Sequence, residues 1–246
     1  MTDEPSNAVS TFAAEMQAGH MAREKYGDHN RAVTHYLKAG SLATDKALFA
    51  QAYQAAGVSY RVLGRFDEAL AALSSALEAS EAIEPSDDRL MGAIHRDLGV
   101  LHHELALKFE REDALEVSRQ EFGNARFHFA FSATNLLYDG DRNELAATNG
   151  FWGMALFDAG EKAAGIRRIA YAAKLLALLP GRNSTYELNN LIRYMRVSLL
   201  GRWASLPRAL QLTKKGAENA GSRKRVLAAL GGNRIYKWLQ LRQRQM

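Results

Sequence analysis

The run "GVSYRVLGRFDEALAALSSAL", residues 57–77, sets Gly57 and Gly64 inside a stretch otherwise made of good helix formers. An interior glycine costs about 1 kcal/mol relative to alanine, so something else must favour it there. Close packing is the expected reason. The spacing puts Gly57 and Ala69 where two antiparallel helices cross, and small side chains let the two backbones approach. Tyr60, Phe66 and Leu73 then fill the wider spaces beside the crossing. Gly64 is expected to end the first helix, where a left-handed residue is needed and glycine enters without strain. Ordinary packing glycines in an unrelated helical bundle give similar spacing, because short antiparallel hairpins share it.

Working outward, apolar residues recur at three- and four-residue spacing along most of the chain. Breakers divide the pattern into expected helices at 8–25, 29–41, 45–63, 66–83, 87–110, 112–138, 142–159, 161–179, 185–202, 206–219 and 222–243. Ser184 with Glu187, and Asp141 with Glu144, have capping-box spacing. Pro85 bars continuation of the fourth helix, and Gly231-Gly232 breaks or bends the last. The 246 residues are 47% hydrophobic and 24% charged, with 4 prolines. Alanine and leucine dominate and β-branched residues are few, which favours an all-α chain. Cysteine is absent, which removes disulfides and thiolate metal sites from consideration. The opening "MTDEPSNAVSTF" is acidic and polar with no secretory apolar region. "YAAKLLALLP" at 171–180 is too short to span a bilayer. Together these lead to the expectation of a cytoplasmic protein without a transmembrane segment.

Short connections make consecutive helices antiparallel neighbours, and the hairpins repeat. Gly57, Tyr60, Gly64, Phe66, Ala69, Leu73 and Ala76 form the best copy. Gly153, Leu156, Gly160, Gly165, Ile169 and Ala172 form another. Gly99 and His102 begin a third, continued by Ala125, Phe129 and Ser132. Gly19 begins an earlier one, completed by Ala32, Tyr36 and Ala39. Residues 185–219 make a degenerate fifth hairpin with Ala209, Thr213 and Gly216. This pattern resembles the tetratricopeptide repeat (TPR), a helix–turn–helix unit, over roughly residues 10–180 and less regularly to 219. Tyr53 stands where the family usually has tryptophan, and Pro85 comes later than the family's proline. The glycine spacings of 38, 42 and 54 residues (Gly19, Gly57, Gly99, Gly153) exceed the family's roughly 34. The excess in the third copy is expected as extra turns on both of its helices, about 100–124. The resemblance implies a right-handed αα solenoid of about five antiparallel hairpins over residues 1–219. A basic capping helix or tail follows at 220–246.

"HHELA" at 102–106 begins like a zinc-protease helix, but the second histidine position is Ala106 counted from His102 and Leu107 counted from His103. A site that joins His95, His102 and His103 to His128 competes with plain core histidines. "DGDRNE" at 139–144 lacks the glycine and the final acid of a calcium loop, where Glu144 and Gly150 stand. No phosphate-binding glycine loop or nucleophile elbow occurs. "NST" at 183–185 matches a glycosylation acceptor, but without a signal peptide a helix start is expected there. No catalytic residue, metal or cofactor is therefore assigned, and a non-enzymatic chain is expected; a dispersed active site stays the third alternative.

Two binding surfaces are expected. The resemblance implies a concave groove lined by the first helix of each hairpin. Its positions here are Arg23, Arg61, His103 and Phe157, with Arg96, Phe151 and Met154 one turn earlier, beside Gln54, Val58 and Val100. Arginines there would fork to the carboxylates of an acidic protein or peptide, while the aromatics take apolar side chains. The arginines would equally serve as partners of Glu24, Asp97 and Glu104. Charge defines the second surface. Residues 1–180 carry 18 basic and 25 acidic side chains, a balance of −7, whereas residues 181–246 carry 14 and 2, a balance of +12. Arg223, Lys224, Arg225, Arg234 and Lys237 would meet phosphates, with Trp238 to stack a base. A solvated cap over the end of a solenoid, a membrane-surface helix and pairing with the acidic body of a second copy in a homo-oligomer fit the same residues. The leading expectation is an adaptor or scaffold for protein–protein interaction that holds a protein or peptide segment. The alternative is a nucleic-acid-associated protein that uses the basic end.

Overall fold

The computed structural model describes residues 11–177. Its elements, in chain order, are α1 (Phe12–Tyr26), α2 (His29–Ser41), α3 (Lys46–Val62), α4 (Phe66–Glu81), α5 (Asp88–Arg111), α6 (Leu115–Asp139), α7 (Arg142–Asp158) and α8 (Lys162–Ala177). These eight are all helical, and no strand occurs among the described residues. The helices expected beyond residue 180, the cap at 220–246 and its boundary lie outside the described residues. The chain divides into two compact units, Met1–Ser118 and Arg119–Met246.

Helix starts follow local chemistry. Asp28, Asp45 and Asp87 each accept a hydrogen bond from the backbone amide three residues on, at 2.9 Å. Thr11 does the same for Ala14 at 3.2 Å, and Asp141 accepts from the amides of Asn143 and Glu144. Each satisfies an amide that has no intrahelical partner. Helix stops share a form as well. Gly64 (φ +73°), Asp113 (φ +61°) and Gly160 (φ +88°) are left-handed. In each case the next amide reaches back to a carbonyl near the helix end: Arg65 to Tyr60 at 3.0 Å, Ala114 to Phe109 at 2.9 Å and Glu161 to Leu156 at 2.8 Å. This is the glycine-type helix end, with an aspartate in the place of glycine at 113.

In the first unit α3 is the middle helix. Ala55 and Ala56 join Ala22, Ala32 and Tyr36 in one core cluster. Ala50 joins Leu73, Ile94, Leu98 and Leu101 in another. A helix packed on two sides needs small side chains on both, which explains the alanine-rich stretch "AQAYQAAG" at 50–57. The crossings are tight. A Cβ added at Gly57 would lie 2.7 Å from Leu73 Cγ and 3.3 Å from the Ala69 carbonyl oxygen; at Gly19 it would lie 2.5 Å from the Tyr36 ring. The first unit also contains the long helix α5, of 24 residues.

In the second unit, α6 and α7 join through a buried Ser132–Thr148 hydroxyl pair at 2.9 Å. α7 and α8 cross at two glycines: a Cβ at Gly153 would meet the Gly165 carbonyl oxygen at 2.8 Å and Ile169 Cγ1 at 2.6 Å. One rule links these contacts. Tyr36 follows His20, and Thr148 follows Ser132, by 16 residues; Leu73 follows Gly57, and Ile169 follows Gly153, by the same interval. Each hairpin thus crosses about two helical turns from its own bend.

Candidate functional site

The expected groove residues divide between the units. Arg23, Arg61, Arg96 and His103 stand in the first, on α1, α3 and α5; Phe151, Met154 and Phe157 stand in the second, on α7. Within the first unit the arginines already hold acids. Arg23 Nη2 donates to Glu24 at 2.7 Å and to His20 Nδ1 at 3.5 Å. Arg61 donates to Glu104. Arg96 Nε donates to Asp97 Oδ1 at 3.0 Å, and Gln54 Nε2 donates to Asp97 Oδ2 at 2.8 Å. His95, His102 and His103 are buried on α5, and burial holds the His95 pKa down to about 4. Among the described residues no three side chains of His, Cys, Asp or Glu come together as a metal site.

Two of these contacts define a face. Gln54 meets Asp97 and Arg61 meets Glu104, and both pairs are separated by 43 residues. The members of each helix are two turns apart, so α3 and α5 run parallel with a polar seam between them. Hydrogen bonding along such a seam fixes the register of the two helices.

On α7 the three apolar positions are half-buried. Phe157 lies against the hairpin crossing, where a Cβ at Gly165 would be 3.0 Å from its Cβ. Lys162 Nζ sits 5.6 Å from its ring centroid.

The same hairpin holds a cleft of about 490 Å³, lined among others by Arg126, Trp152, Glu161, Arg167, Arg168 and Tyr171. The Arg168 guanidinium stacks on the Trp152 ring, 3.4 Å from its centroid, and Nη1 donates to Asn149 Oδ1 at 3.0 Å. Burial pulls the Arg168 pKa below its ordinary value, while Tyr171 pushes the other way. Arg126 and Glu161 form an ion pair at 2.7 Å. The buried Trp152 Nε1 has no acceptor. Sequence reasoning named none of these residues as a site. The signal was present: Arg168 follows Trp152 by 16 residues, the interval at which these hairpins cross.

Arg223, Lys224, Arg225, Arg234, Lys237 and Trp238 lie outside the described residues. No helix among the described residues is long and apolar enough to cross a membrane. Neither a family model nor a curated protein matches the chain. Among solved structures, a crystal structure of BtubC (BKLC) from P. vanneervenii is similar at 16% identity, covering 90% of this chain and 91% of that chain with a TM-score of 0.36. At that score the likeness carries no argument about fold or function.

Proposed function

We propose that the chain is a non-enzymatic adaptor, a TPR-like right-handed solenoid of about five hairpins that holds a protein or peptide segment against the first helices of its hairpins. The parallel seam of α3 and α5 is the observation that carries this reading. Alternate helices that run parallel, with a helix of opposite direction between them, are what stacked hairpins produce. Arginine carries five N–H groups, so Arg61 can hold Glu104 and still offer donors to an extended backbone or an acidic side chain. Capture from a native extract tests it. The double variant Arg61→Ala, Phe157→Ala loses the captured partner, while the full chain with Arg223, Lys224 and Arg225 changed to glutamine keeps it. Equal capture by the double variant overturns the reading.

A second reading rests on charge. The balance of +12 over residues 181–246 suits binding to phosphates through the basic end. Nuclease treatment before capture separates the two, because it removes only partners held through nucleic acid.

A further inference from the structure

The α7–α8 cleft combines features that a plain packing defect lacks. Its charged lining residues are three arginines and one glutamate, and the glutamate is already engaged by Arg126. Two guanidiniums, Arg167 and Arg168, are left without a carboxylate among the described residues. Arg167 is exposed at the cleft, whereas Arg168 is part-buried, with its guanidinium carbon over the Trp152 ring at 3.4 Å from the centroid. Stacking occupies the faces of a guanidinium and leaves its in-plane N–H groups directed outward. Asn149 accepts from Nη1, and the remaining donors lie in a partly desolvated setting where an anion is worth more than in water. Tyr171 adds apolar surface at the same place. The volume lies within the range of ligand sites, roughly 300–1,000 Å³.

We propose that this cleft is a carboxylate pocket, in which Arg168 and Arg167 bind one carboxylate of a peptide and the Trp152–Tyr171 surface takes the apolar neighbour of that residue. The Arg126–Glu161 pair shows the chemistry in place, one carboxylate on one guanidinium at 2.7 Å. The carboxylate comes either from an acidic side chain or from a peptide C-terminus. The peptide as ligand class rests on the adaptor reading; the anion chemistry does not.

The test uses the full chain with Trp203→Phe and Trp238→Phe, so that Trp152 is the remaining indole. Three probes are titrated against its emission: acetyl-Leu-Glu-Leu-Glu-Leu-amide, acetyl-Leu-Gln-Leu-Gln-Leu with a free carboxyl end, and the latter as its amide. At least one of the first two shifts the emission, and which one does so identifies the source of the carboxylate. The neutral amide leaves it unchanged. Arg167→Gln, at an exposed position, weakens binding about tenfold, and Arg168→Gln abolishes the response. Equal binding of the neutral amide, or unchanged affinity in Arg167→Gln, overturns the proposal. So does displacement of the probe by inorganic phosphate at lower concentration than by acetate. Failure here and failure of the adaptor reading are distinguishable, because the first is read at Trp152 with defined peptides and the second by capture through Arg61.

Discussion

Gly57 and Gly153 stand at equivalent crossings, yet alanine meets different obstacles at each. At Gly57 the two nearest atoms belong to the buried Leu73 side chain, Cγ at 2.7 Å and Cδ2 at 3.0 Å, and the Ala69 carbonyl oxygen follows only at 3.3 Å, so a side chain rather than backbone must give first. At Gly153 two of the three nearest atoms are backbone, the Gly165 carbonyl oxygen at 2.8 Å and the Ile169 amide nitrogen at 2.9 Å, so the helices themselves must part. Overpacking costs about 1–3 kcal/mol; Gly57→Ala is expected near the lower end and Gly153→Ala at or above the upper, measured by urea unfolding. Equal losses would mean that the two crossings yield alike. Asp113 makes the opposite case. It is left-handed at φ +61° in a helix end where Gly64 and Gly160 occupy the corresponding positions. Asp113→Gly removes a conformational cost of about 1 kcal/mol, and a rise in the urea midpoint checks it. His95 sets a pH dependence. Its folded pKa is about 4, against an ordinary value of 6.5, so below pH 6.5 the unfolded chain takes up a proton that the folded chain refuses. This contribution to stability is complete above pH 6.5 and is lost as pH falls toward 4. His20 is shifted the same way, by burial first and by Arg23 second. Thermal unfolding between pH 7 and 4.5 should fall less steeply for His95→Gln than for the unaltered chain.

At the scale of the helix, the two ends of the α3–α5 seam differ in how much depends on the acid. Asp97 is 11% exposed at its side chain and serves both Gln54 and Arg96. Glu104 is 37% exposed and serves Arg61. Asp97→Ala therefore strands two donors in a part-buried setting, and about 2–3 kcal/mol is expected. Glu104→Ala should cost about 1 kcal/mol or less. A double-mutant cycle on Arg61 and Glu104 isolates their pair term, and a coupling of zero would remove that end of the seam. These contacts also show what sequence could and could not tell. Helix positions were legible from the apolar spacing and from a few marked ends, the cap at Asp141 and the stop at Gly64; the caps at Asp28, Asp45 and Asp87 came with the structure. The left-handed Asp113 was not legible, since aspartate there carries no mark that separates it from an exposed turn residue. The extra turns near 100–124 followed from the glycine spacing, and α5 and α6, with 24 and 25 residues, are the longest of the described helices. The state of the arginines was only half legible. Glu24, Asp97 and Glu104 were all legible as acids for these arginines, but only Glu24 and Asp97 are chain neighbours of theirs; that Glu104 takes Arg61 depends on a register across 43 residues. Trp152 and Arg168 passed unnoticed because an arginine on a helix face reads as solvated until the crossing angle sets it on an aromatic ring.

For the whole molecule, the balance of −7 over residues 1–180 and +12 over residues 181–246 has consequences that local packing does not touch. A segment with that excess attracts any dense array of negative charge. Duplex DNA and the acidic part of a second copy are two such arrays, and salt acts on both. Their signatures differ. Binding to a duplex through five phosphate contacts gives a logarithmic salt slope of about −4 to −5, since each contact releases counterions worth about 0.9. Changing Arg223, Lys224, Arg225, Arg234 and Lys237 to glutamine in the full chain should bring that slope close to zero. Self-association would instead show as a mass that falls with salt and with the same substitutions, with no retention of duplex. The expected outcome under the charge reading is steep, salt-sensitive retention of a labelled duplex by the unaltered chain and its loss in the glutamine variant. Partner capture that depends on Arg61 should be indifferent to those five changes, because the α3–α5 seam and the basic segment are charged by different residues. Retention that survives the five substitutions would place nucleic-acid binding elsewhere, and no retention at all would leave the basic segment to cap the chain or to pair with its own kind.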